Sequence, residues 1–364
     1  MYLFKYVLKR IGLMLMSFIV IFTMCFVLIK LLPNMPAESF GKDMELIMQR
    51  RELLGYDKPI MQQYWIYFFG RTAYEYEGVD EETGKPETKV VYEKKKLPED
   101  ILESETYTTR NVGGVIRGYF GTSEVLYLGQ DVWEVFTQKV PYTVAINVYT
   151  MVFAVPLGLA LGMIAATNKN KWPDHLISVG VIVFVSVPSF IYAFLIKYIF
   201  YIKLDIFPPF VDAINGAFSW DFLKSAVMPI ASMAFGTIAG FARYTRAELT
   251  EVLTSEFMLL ARTKGLSKGQ ATLRHALRNA MVPIFPMILG EFVGVMSGSL
   301  IIEQMFTIPG VGALYISSVQ AQPTPDYNFF LLLTGFYTLI GLSAGIISDI
   351  SYGIIDPRIR MGAR

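Results

Sequence analysis

The sequence predicts an all-α polytopic membrane protein: six transmembrane helices, with a long extracytoplasmic loop between the first and the second. Three observations carry that prediction. Six stretches are almost free of charge, at 11–29, 140–168, 176–196, 225–242, 280–302 and 327–348. Each is close to the roughly 20 apolar residues that take a helix across a hydrocarbon core of about 30 Å. The composition agrees, since 53% of the 364 residues are hydrophobic and 17% charged, against about 25% charge in soluble domains. The mean hydropathy is +0.43. Finally, Lys and Arg cluster in alternate connections, as the positive-inside rule requires. Such a chain is not a soluble enzyme, a secreted disulfide scaffold or a nucleic-acid-binding domain. Its net charge of +1 averages over both sides of a membrane and says nothing of partners.

The first span comes after Lys5, Lys9 and Arg10. Its apolar run exceeds the roughly 7–15 residues of a signal-peptide core, and no A-x-A site follows it. It therefore reads as a retained helix ending near Leu32-Pro33, within an N-terminal segment 1–32. Cys25, the single cysteine, excludes an internal disulfide and reads as a small apolar membrane residue.

Segment 33–139 carries 19 acidic and 13 basic residues. Residues 44–69 predict two short helices broken at Gly55 and Pro59. Residues 71–110 are polar. Tyr74, Tyr76, Val90 and Tyr92 flank the turn-rich centre EGVDEETGKPE. A small β-hairpin and a solvated insertion both fit that pattern. The charged run Glu93–Lys96 reads as solvated surface.

Residues 140–348 hold the remaining five spans. Lys197, late in the third, is placed to snorkel outward. Glu291 sits in the middle of the fifth, after Pro283, Pro286 and Gly290. A carboxylate at that depth costs several kcal/mol unless water or a partner faces it. Two readings stand: a group lining a translocation path through irregular, wet helix, or a protonated or paired structural residue. With both termini inside, 15 basic residues fall on the cytoplasmic side, and only Lys203 and Lys224 fall in the short outer loops. Segment 33–139 is then outside and the tail 349–364 inside.

The cytoplasmic loop 243–279 is the most organised connection. Residues 256–263, EFMLLART, read as a short helix, with Gly265 as its left-handed C-cap. Ser267 and Gln270 have capping-box spacing and open a second helix over 268–281. That helix places Leu273 and Leu277 on one face and Arg274 and Arg278 on the other. Phe257, Met258, Leu259 and Leu260 form an apolar cluster that one short helix cannot bury. The cluster either lies on the membrane lipid or docks into another protein. The sequence holds no G-x-x-x-x-G-K-[ST] phosphate loop and no metal spacing around His175 or His275.

The stretch ARTKGLSKGQATLRHALRNAMVP, 261–283, resembles the cytoplasmic signature of ABC importer permeases, in the branch for oligopeptides, dipeptides and nickel. The matching residues are Ala261, Arg262, Lys264, Gly265, Leu266, His275, Ala276, Leu277, Arg278, Asn279, Ala280 and Pro283. LLPNMP, LLGYDKPIMQQYWIYF, FGTS, PYTVAINVYT, IEQMFTIPGVG and DISYGIIDPRIRMG are similar to the same branch and lie in the same order. Residues 71–116 look like an insertion relative to shorter members, and Leu259 and Leu260 replace the first two residues of the family's Glu-Ala-Ala core. The resemblance implies a type I importer permease fold in the cell membrane. It implies a homologous second permease, one or two ATPase subunits and an extracytoplasmic substrate-binding protein as partners. The chain would need no cofactor, with ATP and Mg bound by the ATPases, and its cargo would be peptides or, alternatively, nickel or another small solute. Residues 256–266 would be the ATPase contact, with Phe257, Met258 and Leu260 as anchor and Gly265 as turn. A self-contained secondary transporter fits less well, because only Glu291 and Lys197 offer charge within the spans.

Overall fold

A computed structural model describes residues 2–32, 44–79, 86–294 and 299–355. The chain begins with α1 (Tyr2–Lys30), α2 (Met44–Leu53) and α3 (Ile60–Phe69), then β1 (Arg71–Val79), β2 (Pro86–Val91), α4 (Glu99–Ser104) and β3 (Tyr107–Val112). It continues through α5 (Val132–Thr167), α6 (Trp172–Ser186), α7 (Ser189–Lys197), α8 (Trp220–Ser225), α9 (Val227–Leu253) and α10 (Glu256–Thr263). It closes with α11 (Lys268–Ala271), α12 (Leu277–Gly294), α13 (Leu300–Met305), α14 (Val311–Gln320) and α15 (Tyr327–Ile355). The expected turn centre at 80–85, Pro33 and the basic tail beyond 355 lie outside the described residues.

Among the described residues four helical segments are long and apolar enough to cross a membrane: Tyr6–Lys30, Val132–Thr167, Gly269–Gly294 and Tyr327–Ser351. Helices α6 and α7 make a fifth only as a broken pair, bent by 97°. This corrects the expectation of a plain third span. Val187 is extended at φ −98°, ψ 126°, because the ring of Pro188 disfavours helical backbone in the residue before it. From Val227 on, the stretch 225–242 lies within the 27-residue α9, whose Ala and Gly residues and Arg243 hold its hydropathy below that of the others. By length and composition the described residues therefore hold four or five candidate spans, beside the six that the sequence predicts. The fifth predicted span also starts earlier than expected. α11, a π-helical turn at Thr272–Ala276 and α12 follow one another without a gap, and Pro283 and Pro286 sit inside α12.

The chain divides into two units. One comprises Met1–Phe18, Lys139–Ile316 and Phe336–Arg364. In it, α5 and α9 touch backbone to backbone. A Cβ on Gly158 would lie 2.9 Å from the Ile238 carbonyl oxygen, and one on Gly162 2.7 Å from that of Ala242. Glycines four apart on one helix face are what allow so close an approach. Asp174 at the start of α6 is 1% exposed. Its carboxylate accepts from Nε and Nη2 of Arg246 on α9, the latter at 2.8 Å, and from the Asn170 N–H at 2.9 Å. Lys197 does not snorkel outward. Its Nζ donates to the Met305 carbonyl at 2.8 Å and lies over the rings of Phe210 and Phe306.

The other unit comprises Ile19–Gln138 and Ser317–Gly335. Phe22 and Phe26 of α1 meet Tyr64, Tyr67 and Phe68 of α3 with ring centroids 5.3 to 5.9 Å apart. β1 lies between β2 and β3 and is antiparallel to both, with Tyr74 opposite Val91 on one side and Thr109 on the other. Of the two open readings, the paired strands Arg71–Val79 and Pro86–Val91 fit the hairpin, and a third strand, YTTRNV, extends the sheet. The chain is accordingly not all-α. Asp326 is fully buried and accepts from Ser123 Oγ at 2.5 Å and from the N–H groups of Val125 and Leu126 at 3.1 Å. Burial raises its pKa. Arg51 and Glu124 form a buried ion pair at 2.7 Å.

Candidate functional site

Residues 254–280 build the site from local rules. Helix α10 runs Glu256–Thr263. Gly265 follows at φ +88°, a region that L side chains avoid. The Gly265 N–H donates to the Arg262 carbonyl at 3.0 Å and the Leu266 N–H to that of Ala261 at 3.4 Å. These are the paired bonds of a Schellman cap. The next helix starts with a reciprocal box: the Gln270 N–H donates to Ser267 Oγ, and the Ser267 N–H to Gln270 Oε1, both at 3.3 Å. Both features stand where the sequence places them.

The apolar residues of α10 divide between two faces. Met258 is 4% exposed and packs with Ala166, Leu249, Ala261, Ala271 and Ala276. Leu266 closes the same cluster. Phe257, Leu259 and Leu260 are 40%, 67% and 55% exposed. Of the residues expected as an anchor, Met258 faces inward and holds α10 to its own chain, while Leu259 stands with Phe257 and Leu260 on the outer face. Arg262 and Lys264 are exposed beside them. In the following helix the inward residues are Ala271, Thr272, Ala276 and Ala280. Leu273 faces outward, because only small side chains let α11 and the π turn lie this close to α10 and Leu249.

Glu291 is exposed on this chain and has no hydrogen-bond or ion-pair partner among the described residues. It lies on regular α12, so the expected irregular backbone is absent there. A Cβ on the preceding Gly290 would lie 3.9 Å from Ser348 Cβ of α15.

Sequence reasoning passed over Glu303. It is fully buried at the end of the apolar run. Its carboxylate accepts from Thr143 Oγ1 at 2.9 Å and from the N–H groups of Gly312 and Ala313 at 2.8 and 3.1 Å. Thr143 Oγ1 in turn accepts from the Val311 N–H at 2.8 Å. Two side chains remote in sequence thus cap α14, and a Cβ on Gly310 would collide with both. Burial pushes the Glu303 carboxyl up to about 7, against the opposing pull of its hydrogen bonds. Among the described residues no cluster of His, Cys, Asp or Glu would hold a metal ion.

Residues 158–361, which include the whole of this loop, match the family model of the binding-protein-dependent transport system inner membrane component. The chain belongs to that family. Residues 3–88 match the N-terminal model of the same transport-system membrane components. Among curated proteins, this permease component is 29% identical to the dipeptide transport system permease protein DppB of Lactococcus lactis subsp. cremoris, over 98% of this chain and 99% of the relative. It is 28% identical to DppB of Bacillus subtilis, over 98% of each. It is 27% identical to the glutathione transport system permease protein GsiC of Escherichia coli strain K12, over 98% of this chain and 99% of the relative. The permease is a membrane protein of a solute-import system, and its apolar helices agree with that placement.

Proposed function

We propose that this permease is one of two homologous membrane subunits of an ABC importer of short peptides. The observation that carries the reading is the outer face of α10. Phe257, Leu259 and Leu260 stand exposed on a helix held from below by Met258 and ended by the Gly265 turn. Such a knob suits a groove on an ATPase subunit. The dipeptide and glutathione permeases among its relatives support a peptide cargo, with nickel or another small solute as the alternative.

In this reading the six spans are α1, α5, the α6–α7 pair, α9, the α11–α12 helix and α15. The 27 residues of α9 reach about 40 Å, enough to cross. Both termini are cytoplasmic and 33–139 is extracytoplasmic. ATP and Mg sit on one or two partner ATPases, so this chain needs no cofactor and catalyses nothing itself. ATP binding draws the docked α10 helices together and switches the path from inward to outward facing. The extracytoplasmic binding protein delivers cargo on the far side. The sheet β2-β1-β3, with a cavity of about 800 Å³ edged by Glu75, Glu77 and Glu105, offers it a surface.

Uptake of a labelled dipeptide by cells lacking this gene, with and without the gene restored, tests the reading. Restored nickel uptake with no peptide uptake would overturn the cargo. Glu291 is the path residue in this reading, since no hydrogen-bond or ion-pair partner faces it among the described residues. Glu291→Gln should lower uptake while the loaded binding protein still stimulates ATP hydrolysis. Unchanged uptake in that variant would leave Glu291 a structural role.

A further inference from the structure

A groove of about 490 Å³ lies between the end of α5 and the start of the α11–α12 helix. Its floor is apolar, made by Ala160, Met163, Ile164 and Leu273, and Thr167 and Asn168 stand at its rim. It continues a stripe on α5 in which Phe153, Leu157 and Ile164 are all large, apolar and exposed. A face of that kind suits an acyl chain better than a wet path. The residues that continue from its lining are basic: Lys169 follows Asn168, Lys171 comes two residues later, Arg274 follows Leu273, and all three are exposed. Among the described residues none of the three has an ion-pair partner. Asp174, three residues after Lys171, is buried and held by Arg246, so it does not cancel them. The Asn168 amide N–H is already donated to the Ile164 carbonyl at 2.9 Å, so recognition of an anion falls to the three basic side chains. Trp172 beside Lys171 is exposed, and exposed tryptophan next to lysine is the pairing found where a span meets the headgroup layer.

We infer that this groove is a binding site for an anionic phospholipid, with one acyl chain on the Ala160–Ile164 floor and the phosphate among Lys169, Lys171 and Arg274. Basic pockets between spans on the basic side of a membrane protein bind such headgroups. The site requires only that the chain span a membrane, so it stands apart from the choice of cargo.

The test places the photoreactive residue p-benzoylphenylalanine at Leu273 in the full chain within its complex. The complex is reconstituted in vesicles holding equal phosphatidylethanolamine and phosphatidylglycerol, illuminated, and the adducts are weighed by mass spectrometry. Phosphatidylglycerol adducts should exceed phosphatidylethanolamine adducts by about ten-fold. The double variant Lys169→Ala, Lys171→Ala should bring that ratio to about two, and these exposed lysines can be lost without unfolding the chain. Equal labelling of the two lipids, or a ratio the double variant leaves unchanged, would overturn the proposal. So would a dominant adduct to a partner subunit. Glycerol phosphate added at millimolar concentration should leave the ratio alone; abolishing it would reduce the site to an anion contact without a lipid chain.

Discussion

At Gly265 a positive φ and an empty surrounding coincide, since nothing lies within 4 Å of a Cβ built there. A side chain at this position is therefore strained rather than crowded. Gly265→Val should cost about 1–2 kcal/mol locally and open the turn, so that ATP hydrolysis and uptake uncouple while the chain still inserts. Gly265→Asn, which tolerates the left-handed region, should keep most uptake. Equal uptake by Val and Asn variants would show that the turn is not needed. Glu303 leads to a pH dependence. Its carboxyl is held up at about 7 against an ordinary 4.5, chiefly by burial. The folded chain binds that proton more tightly than the unfolded chain does. Its contribution to stability is thus complete below about pH 4.5 and is lost as the pH rises through about 7. The unfolding midpoint of the detergent-solubilised chain should fall between about pH 5 and pH 8, and Glu303→Gln should flatten that fall. An unchanged slope in the variant would assign the fall to other groups. Gly265 was legible from the sequence because its role is settled within five residues. Glu303 was not, since its partner Thr143 lies 160 residues away.

Helix α10 carries two faces with different duties. Met258→Ala removes the buried contact and should cost about 2–5 kcal/mol, seen as a lower yield of assembled complex. Leu260→Asp changes only the exposed face. It should leave the yield of the chain intact and abolish co-purification of the ATPase. Retained ATPase with Leu260→Asp would move the docking site elsewhere. The sequence shows the apolar cluster but not its division, because four consecutive apolar residues on one turn point in all directions and only the neighbouring alanines decide which is inward. The sheet was legible in part for a similar reason. Tyr74, Tyr76, Val90 and Tyr92 announce a hairpin, whereas the strand Tyr107–Val112 is exposed along most of its length and shows no alternation to read.

At the scale of the whole molecule, the basic-residue asymmetry predicts a cytoplasmic tail and an outer 33–139 segment. Cysteines at Lys94 and Arg360, introduced with Cys25 replaced, check this against an impermeant thiol reagent in intact cells. Label at position 94 alone is expected, and label at 360 alone would reverse the topology. Apolar run length made most of the spans legible. It missed the break in the third, where Pro188 bends the chain, and the early start of the fifth, where Pro283 and Pro286 sit inside α12.

The unbroken helix Gly269–Gly294 has a mechanical consequence. It is a rod about 38 Å long, with one end against α10 and the other beyond Glu291. Among the described residues no break interrupts it, and its irregular stretch is the π turn at Thr272–Ala276. A tilt of about 5° imposed where α10 is gripped would sweep the far end through about 3 Å, the width of a water molecule. Gripped at α10, such a rod would act as a lever whose gain is set by its length.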